Sequence, residues 1–244
     1  MNKYLSGFLL LLFTFSIACN TTYKASTVQY NNYRIQRTIN DNAVSSLVKL
    51  YGDSVNKKMD VVIGENESML ERKRQGNTLG YFIADAYLEM AKKKMDPFVD
   101  VAFMNSGGIR LPELPAGPIT QGKVFELMPF DNLMTLVKMK GSALKQYLDT
   151  LASTEGIIQS GLSVQVANRV VQQIMVGNKP IDLDADYTIV HSDYVVINTS
   201  LLKNMVKTTN GYLLRDAIID YIKSFDAAGK KVTVSNTDRV VYVN

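Results

Sequence analysis

The chain has 244 residues, 46% hydrophobic and 20% charged, with 15 Gly, 6 Pro, one Cys and one His. That profile excludes collagen-like, disordered and disulfide-rich classes, and a single Cys and a single His exclude most metal sites built from thiolate and imidazole. The formal net charge of +4 comes without a long basic stripe, so a nucleic-acid polymer is not an expected partner.

In chain order, Lys3 is followed by a run from Phe8 to Phe15 that is nearly all apolar. A run this short falls below the roughly 20 residues a bilayer span needs, and it reads as an export signal over residues 1–18. Ser16-Ile17-Ala18-Cys19 resembles the lipobox of bacterial lipoproteins, which gives the lone Cys a use that needs no partner thiol. The resemblance implies an exported bacterial lipoprotein, periplasmic or at the cell surface, held on a membrane through a lipid anchor at Cys19. An ordinary export signal that happens to end near a Cys is the alternative. Residues 19–40 are polar and read as a tether, with an alternation over Val28 to Ile39 that suits an edge strand.

The domain is expected over residues 41–244. Asp41 is placed to cap a helix carrying Val44, Leu47, Val48 and Tyr51 on one face. A strand is expected at Asp60 to Gly64, followed by a charged stretch to Arg74. The clearest helix is Asn77 to Lys94, where Leu79, Phe82, Ile83, Ala86, Tyr87 and Met90 recur at helical spacing and Lys92 to Lys94 suit its C-terminal end. Strands follow at Val99 to Met104 and Leu133 to Met139, with helices at Thr120 to Leu127 and Ser142 to Leu151. Leu162 to Tyr194 reads as a meander broken at Gly177-Asn178-Lys179-Pro180, and Tyr212 to Phe225 and Arg239 to Val243 close the chain as helix and strand. Helices and strands without strict alternation predict one mixed α/β (α+β) domain.

Two loops carry chemistry. Asn105-Ser106-Gly107-Gly108-Ile109-Arg110 follows a strand; its glycines allow close backbone approach to a ligand, Asn105 offers amide donor and acceptor, and Arg110 a planar fork suited to phosphate or carboxylate. Met128-Pro129-Phe130 presents a ring between a helix and a strand. Taken singly, either loop is more simply a structural turn. Asp182, Asp184 and Asp186 read as a turn rather than a cation site, Met128, Met134 and Met139 as core, and His191-Ser192-Asp193 as an extended run whose alternating faces exclude a catalytic triad.

The order of Leu79-Gly80-Tyr81-Phe82-Ile83-Ala84-Asp85-Ala86, the Asn105 to Arg110 loop, Gly117-Pro118-Ile119-Thr120, Met128-Pro129-Phe130 and Val137-Lys138-Met139-Lys140-Gly141-Ser142-Ala143-Leu144 resembles the C-terminal domain of the 5'-nucleotidases over about Asp60 to Asn244. The resemblance implies a mixed sheet flanked by helices that recognises a nucleotide. Asn105 would contact the base, Gly107 and Gly108 would let backbone approach it, and Arg110 would hold the phosphate. Phe130 and Tyr194 would sandwich the base. A further arginine before the Leu-Gly helix would be Arg74 or Arg72, with Arg74 carried as the candidate. The chain departs from the family at its Gly-Gly-Asp-Gly loop, where Ile197-Asn198-Thr199-Ser200-Leu201-Leu202 stands and Ser200 falls about where the Asp would be. The family's metal-binding motifs have no counterpart either. The expectation is a nucleotide- or nucleoside-binding half of a hydrolase, without cofactor or metal in this chain, that works with a separately encoded metallophosphoesterase subunit. The alternative is a scaffold or interaction lipoprotein that has lost the ligand.

Overall fold

In the computed structural model, which describes residues 42–235 and 239–243, the first element is helix α1 (Asn42–Met59). The export signal, Cys19, the tether and Asp41 lie outside the described residues. The apolar stripe of α1 is not laid on a core as its periodicity suggested: Val44, Leu47, Val48 and Tyr51 are all more than half exposed. Periodicity specifies a helix and the face that seeks cover, not what covers it.

The elements then run β1 (Val62–Asn66), β2 (Leu70–Glu71), α2 (Thr78–Lys94), β3 (Val101–Phe103), β4 (Glu113–Leu114), β5 (Gly117–Thr120), α3 (Gln121–Leu127), β6 (Met134–Lys140) and α4 (Gly141–Ser153). They continue with β7 (Gln159–Ser160), β8 (Leu162–Ala167), β9 (Val170–Val176), β10 (Lys179–Pro180), β11 (Asp186–Ser192), α5 (Asp193–Asn198), β12 (Val206–Thr208), α6 (Leu214–Ala227) and β13 (Val240–Val243). Residues from Ser46 onward form one compact unit. Local chemistry fixes several boundaries. Asn77 caps α2 by accepting from the Gly80 N–H at 2.8 Å, and Thr120 caps α3 by accepting from Lys123 N–H at 3.2 Å. At the β9–β10 hairpin, Gly177 and Asn178 both have positive φ, the pairing that a two-residue turn of this hand requires.

A five-stranded mixed sheet, in the order β12-β6-β11-β3-β7, divides the unit. Side chains alternate across it. Ala102, Met104, Met134 and Val190 enter one apolar cluster, and Val101, Phe103, Val137 and Ile189 the other. The first cluster is filled by Leu79, Phe82, Ile83 and Tyr87 of α2 and by Ala217, Ile218 and Ile222 of α6. The second is filled by Leu144, Tyr147, Leu148 and Leu151 of α4 and by Val164, Val171 and Ile174 of a four-stranded sheet ordered β10-β9-β8-β13. A strand covered on both faces reads as a continuous apolar run rather than an alternating one. That explains the one misplaced strand: β11, buried from Thr188 to Ser192, leaves the meander of β8, β9 and β10 and pairs with β6 and β3 in the central sheet.

An ion pair joins the two halves. Arg239, just before β13, donates through Nη1 and Nη2 to both carboxylate oxygens of Asp85 on α2, at 2.6 and 2.8 Å. Asp85 Oδ1 also accepts from Ser160 Oγ at 2.6 Å, and the guanidinium lies 4.9 Å from the Tyr81 ring centroid. Burial acts to lower the Arg239 pKa, but the hydrogen bond and charge of Asp85 outweigh it and the net direction is upward.

Candidate functional site

Past the end of β3, residues 106–108 form a single 3-10 turn, closed by Gly108 N–H donating to the Asn105 carbonyl at 3.0 Å. A Cβ on Gly108 would sit 2.5 Å from the Met104 methyl and 3.3 Å from Asn105 Oδ1, so glycine here lets the turn close on the Asn105 amide. Arg110 N–H donates to the Leu127 carbonyl at 3.0 Å, tying this loop to the end of α3. The Arg110 guanidinium is exposed, lies 5.7 Å from the Phe130 ring centroid and donates to the Gly107 carbonyl at 3.4 Å.

The Phe130 loop is fixed from both sides. Arg215 of α6, buried with its guanidinium 4.0 Å from the Phe125 ring centroid, donates to Asp131 at 2.5 Å. Asn132 Nδ2 donates to Ser192 Oγ at 3.0 Å and to Asp193 Oδ1 at 3.2 Å, while the Asn132 carbonyl accepts from Leu214 N–H at 2.9 Å. Ser192 in turn caps α5, accepting from Val195 N–H at 3.4 Å. The run His191-Ser192-Asp193 is therefore not extended throughout, because a helix begins at Asp193 and carries Tyr194 in its first turn.

These loops enclose a cavity of about 560 Å³. Asn105, Gly107, Gly108, Arg110, Phe130 and Tyr194 all line it, so the residues singled out in two loops and one helix meet in one place. Phe130 is 41% and Tyr194 61% exposed, large rings left partly open at the cavity walls. The volume lies in the range of small-molecule sites, and the lining combines aromatic area with a few converging polar groups. Arg74 does not join them. It is exposed and not among the lining residues, in a segment that bends at Gly76 with positive φ, whereas Arg72 Nη1 donates to the Ile109 carbonyl at 2.7 Å and so braces the Arg110 loop. Ser200 is likewise outside the lining; Asn198 and Thr199 take that wall, with Asn198 Nδ2 held by the Tyr194 carbonyl at 2.7 Å.

Sequence reasoning gave no role to Asn132, Glu155, Asn198 or Thr199, all of which line the cavity. Asn132 carried a local signal, a polar residue directly before a buried strand in the aromatic loop. Glu155 carried none, because strand pairing delivers it: Met104 N–H donates to the Ile158 carbonyl at 3.0 Å, and that antiparallel register runs Glu155 up to the Asn105 loop. Burial raises the Glu155 carboxyl pKa, partly opposed by a backbone hydrogen bond from Ser106.

His191 is buried and 6.2 Å from Phe103 between ring centroids in a stacked arrangement, with Nδ1 accepting from the Ser192 N–H at 2.8 Å. Burial lowers its pKa from 6.5 to about 3, so it is a neutral core residue. Among the described residues no group of three or more His, Cys, Asp or Glu is placed to hold a metal ion. The donor set of the described residues does not fit a two-metal hydrolytic centre. A second cavity of about 350 Å³ between α2 and α6 includes Asp85, whose carboxylate is already taken by Arg239 and Ser160. Among the described residues no helix is long and apolar enough to cross a membrane.

Comparison with known proteins agrees with this architecture. The family model described as 5'-nucleotidase, C-terminal domain matches residues 52–208. A 5'-nucleotidase of Vibrio parahaemolyticus is 32% identical over 157 residues, which cover 60% of this chain and 27% of that protein. The structure of a 5'-nucleotidase precursor from Thermus thermophilus superposes with a TM-score of 0.71 at 25% identity, covering 84% of this chain and 44% of that one. The Haemophilus influenzae NAD nucleotidase shares the fold, with a TM-score of 0.64 at 18% identity, over 84% of this chain and 42% of that chain. The chain thus spans less than half the length of these relatives. With most of its length matched and its sheets and helices in the same arrangement, the chain belongs to the 5'-nucleotidase C-terminal domain family.

Proposed function

We propose that this domain binds a nucleotide or nucleoside and supplies the specificity half of a 5'-nucleotidase-type hydrolase, the metals and the hydrolytic step coming from a separate metallophosphoesterase subunit. One observation carries the reading: Asn105, Arg110, Phe130 and Tyr194 line a single cavity with both rings partly exposed. Aromatic walls stack on a base whatever its identity, for roughly 1–3 kcal/mol per base in single-strand binders. The Asn105 amide reads a base edge, and the Arg110 fork is suited to phosphate. A lipid anchor at Cys19 would hold the domain on a membrane, in the periplasm or at the cell surface, and the hydrolase partner with it.

Calorimetry with the purified domain and AMP or adenosine tests the binding claim. The expected result is a measurable heat with AMP that Arg110→Ala weakens roughly tenfold or more, as loss of a charge-assisted pair does. No heat with either ligand, or an Arg110→Ala variant indistinguishable from the parent, refutes it. The segment Ile197–Leu202 favours a second reading, since it lacks the family's glycines and its Asp. On that reading the fold serves as a scaffold and calorimetry stays silent.

A further inference from the structure

Among the cavity-lining groups that neither the sequence motifs nor the proposed phosphate and stacking contacts use, the Glu155 carboxylate is the charged one. It stands exposed at the cavity wall in the turn between α4 and β7. The β3–β7 register sets that turn beside the Asn105 loop, and the backbone of Ser106, next to Asn105, hydrogen-bonds to Glu155. The cavity lining therefore offers two side chains of different character. Asn105 presents a neutral amide with one donor and one acceptor face, and Glu155 when ionised presents acceptors only.

Base edges differ in what they ask of such a pair. The Watson–Crick edge of guanine runs acceptor, donor, donor: O6, N1–H and the 2-amino group. That of adenine runs donor, acceptor and then the apolar C2–H. An Asn105 amide alone satisfies adenine through N6–H and N1, which leaves the carboxylate facing a C–H. Against guanine, Asn105 donates to O6 while the carboxylate accepts from N1–H and the 2-amino group together, a charge-assisted two-point contact. A carboxylate losing water without gaining a donor is penalised, so the same group that favours one purine disfavours the other.

Resting on the nucleotide reading of this cavity, we infer that Glu155 is a specificity-determining residue that selects guanine over adenine nucleotides. A bidentate contact of this kind discriminates by roughly tenfold to a hundredfold in affinity.

The test is calorimetry of the purified mature chain with GMP, IMP and AMP at about pH 8, above the ordinary range of a glutamate carboxyl. Expected is GMP tighter than AMP by about tenfold or more, with IMP, which keeps N1–H and lacks the 2-amino group, in between. In Glu155→Gln, isosteric and at an exposed position, the GMP-to-AMP ratio should fall to within about threefold, with GMP binding more weakly and AMP no more weakly than in the parent. AMP binding as tightly as GMP in the parent overturns the inference and leaves nucleotide binding standing. So does an unchanged ratio in Glu155→Gln. Silence with all three nucleotides overturns the binding reading itself, and the inference with it.

Discussion

Replacing Asp85 by Ala tests how the two apolar clusters are joined. The carboxylate accepts three hydrogen bonds, from Ser160 Oγ and from both terminal nitrogens of Arg239, at 2.6 to 2.8 Å. The side chains of Arg239 and Asp85 are only 14% and 18% exposed, so removing the anion strands a cation with little water to replace it. Breaking a buried pair from one side costs about 3–5 kcal/mol, and the residual exposure here argues for about 3. At roughly 2–4 °C per kcal/mol for a domain of this size, the melting midpoint should fall by about 6–12 °C. Urea unfolding followed by tyrosine fluorescence suits the chain, which has 13 Tyr and no Trp. Arg239→Ala should cost a similar amount, and the double variant clearly less than the sum. Additive losses, or a loss below about 1 kcal/mol for Asp85→Ala, would refute the idea that this pair holds the halves together.

Because His191 stays neutral in the fold down to about pH 3 while the unfolded chain protonates below about 6.5, the unfolded state binds the extra proton in that window. Stability present above pH 6.5 should therefore be lost as pH falls toward 3, with a slope approaching 1.4 kcal/mol per unit. His191→Gln should flatten that part of the profile in urea titrations, and parallel profiles would contradict the assignment. Asn132→Ala removes both donations to Ser192 and Asp193 and should cost about 1–2 kcal/mol in the same assay. It should also weaken AMP several-fold by releasing the Phe130 loop from α5, and unchanged stability and affinity would sink that role.

Strong helical periodicity locates α2, α4 and α6 within a few residues, because each has one face committed to a core. The meander is legible as far as β10. Beyond it, β11 carries buried residues on both faces, and a short run of that kind does not say which sheet it enters. The stripe on α1 is legible as helix and misleading as core. At the candidate site, Asn105, Arg110 and Phe130 emerge through the order of local motifs, since each sits in a loop with its own signature, whereas Tyr194, in the first turn of α5, comes from the family resemblance alone. Arg74 and the bracing Arg72 are harder to separate, because two nearby arginines in a turn segment differ only in backbone direction, which spacing does not encode. Glu155 is invisible for a different reason: its neighbour across the β3–β7 ladder lies some fifty positions away in sequence.

The cavity opens along the seam between the two clusters. Met104, Met128 and Leu214 on one side belong to the first, and Val195, behind Tyr194 on the other, packs against the second. Whatever fills that seam touches both bodies at once and acts as mortar between them, so occupancy should raise the midpoint of unfolding in proportion to the logarithm of ligand concentration. It should do so in Asp85→Ala as well, where another fastening between the clusters has been cut.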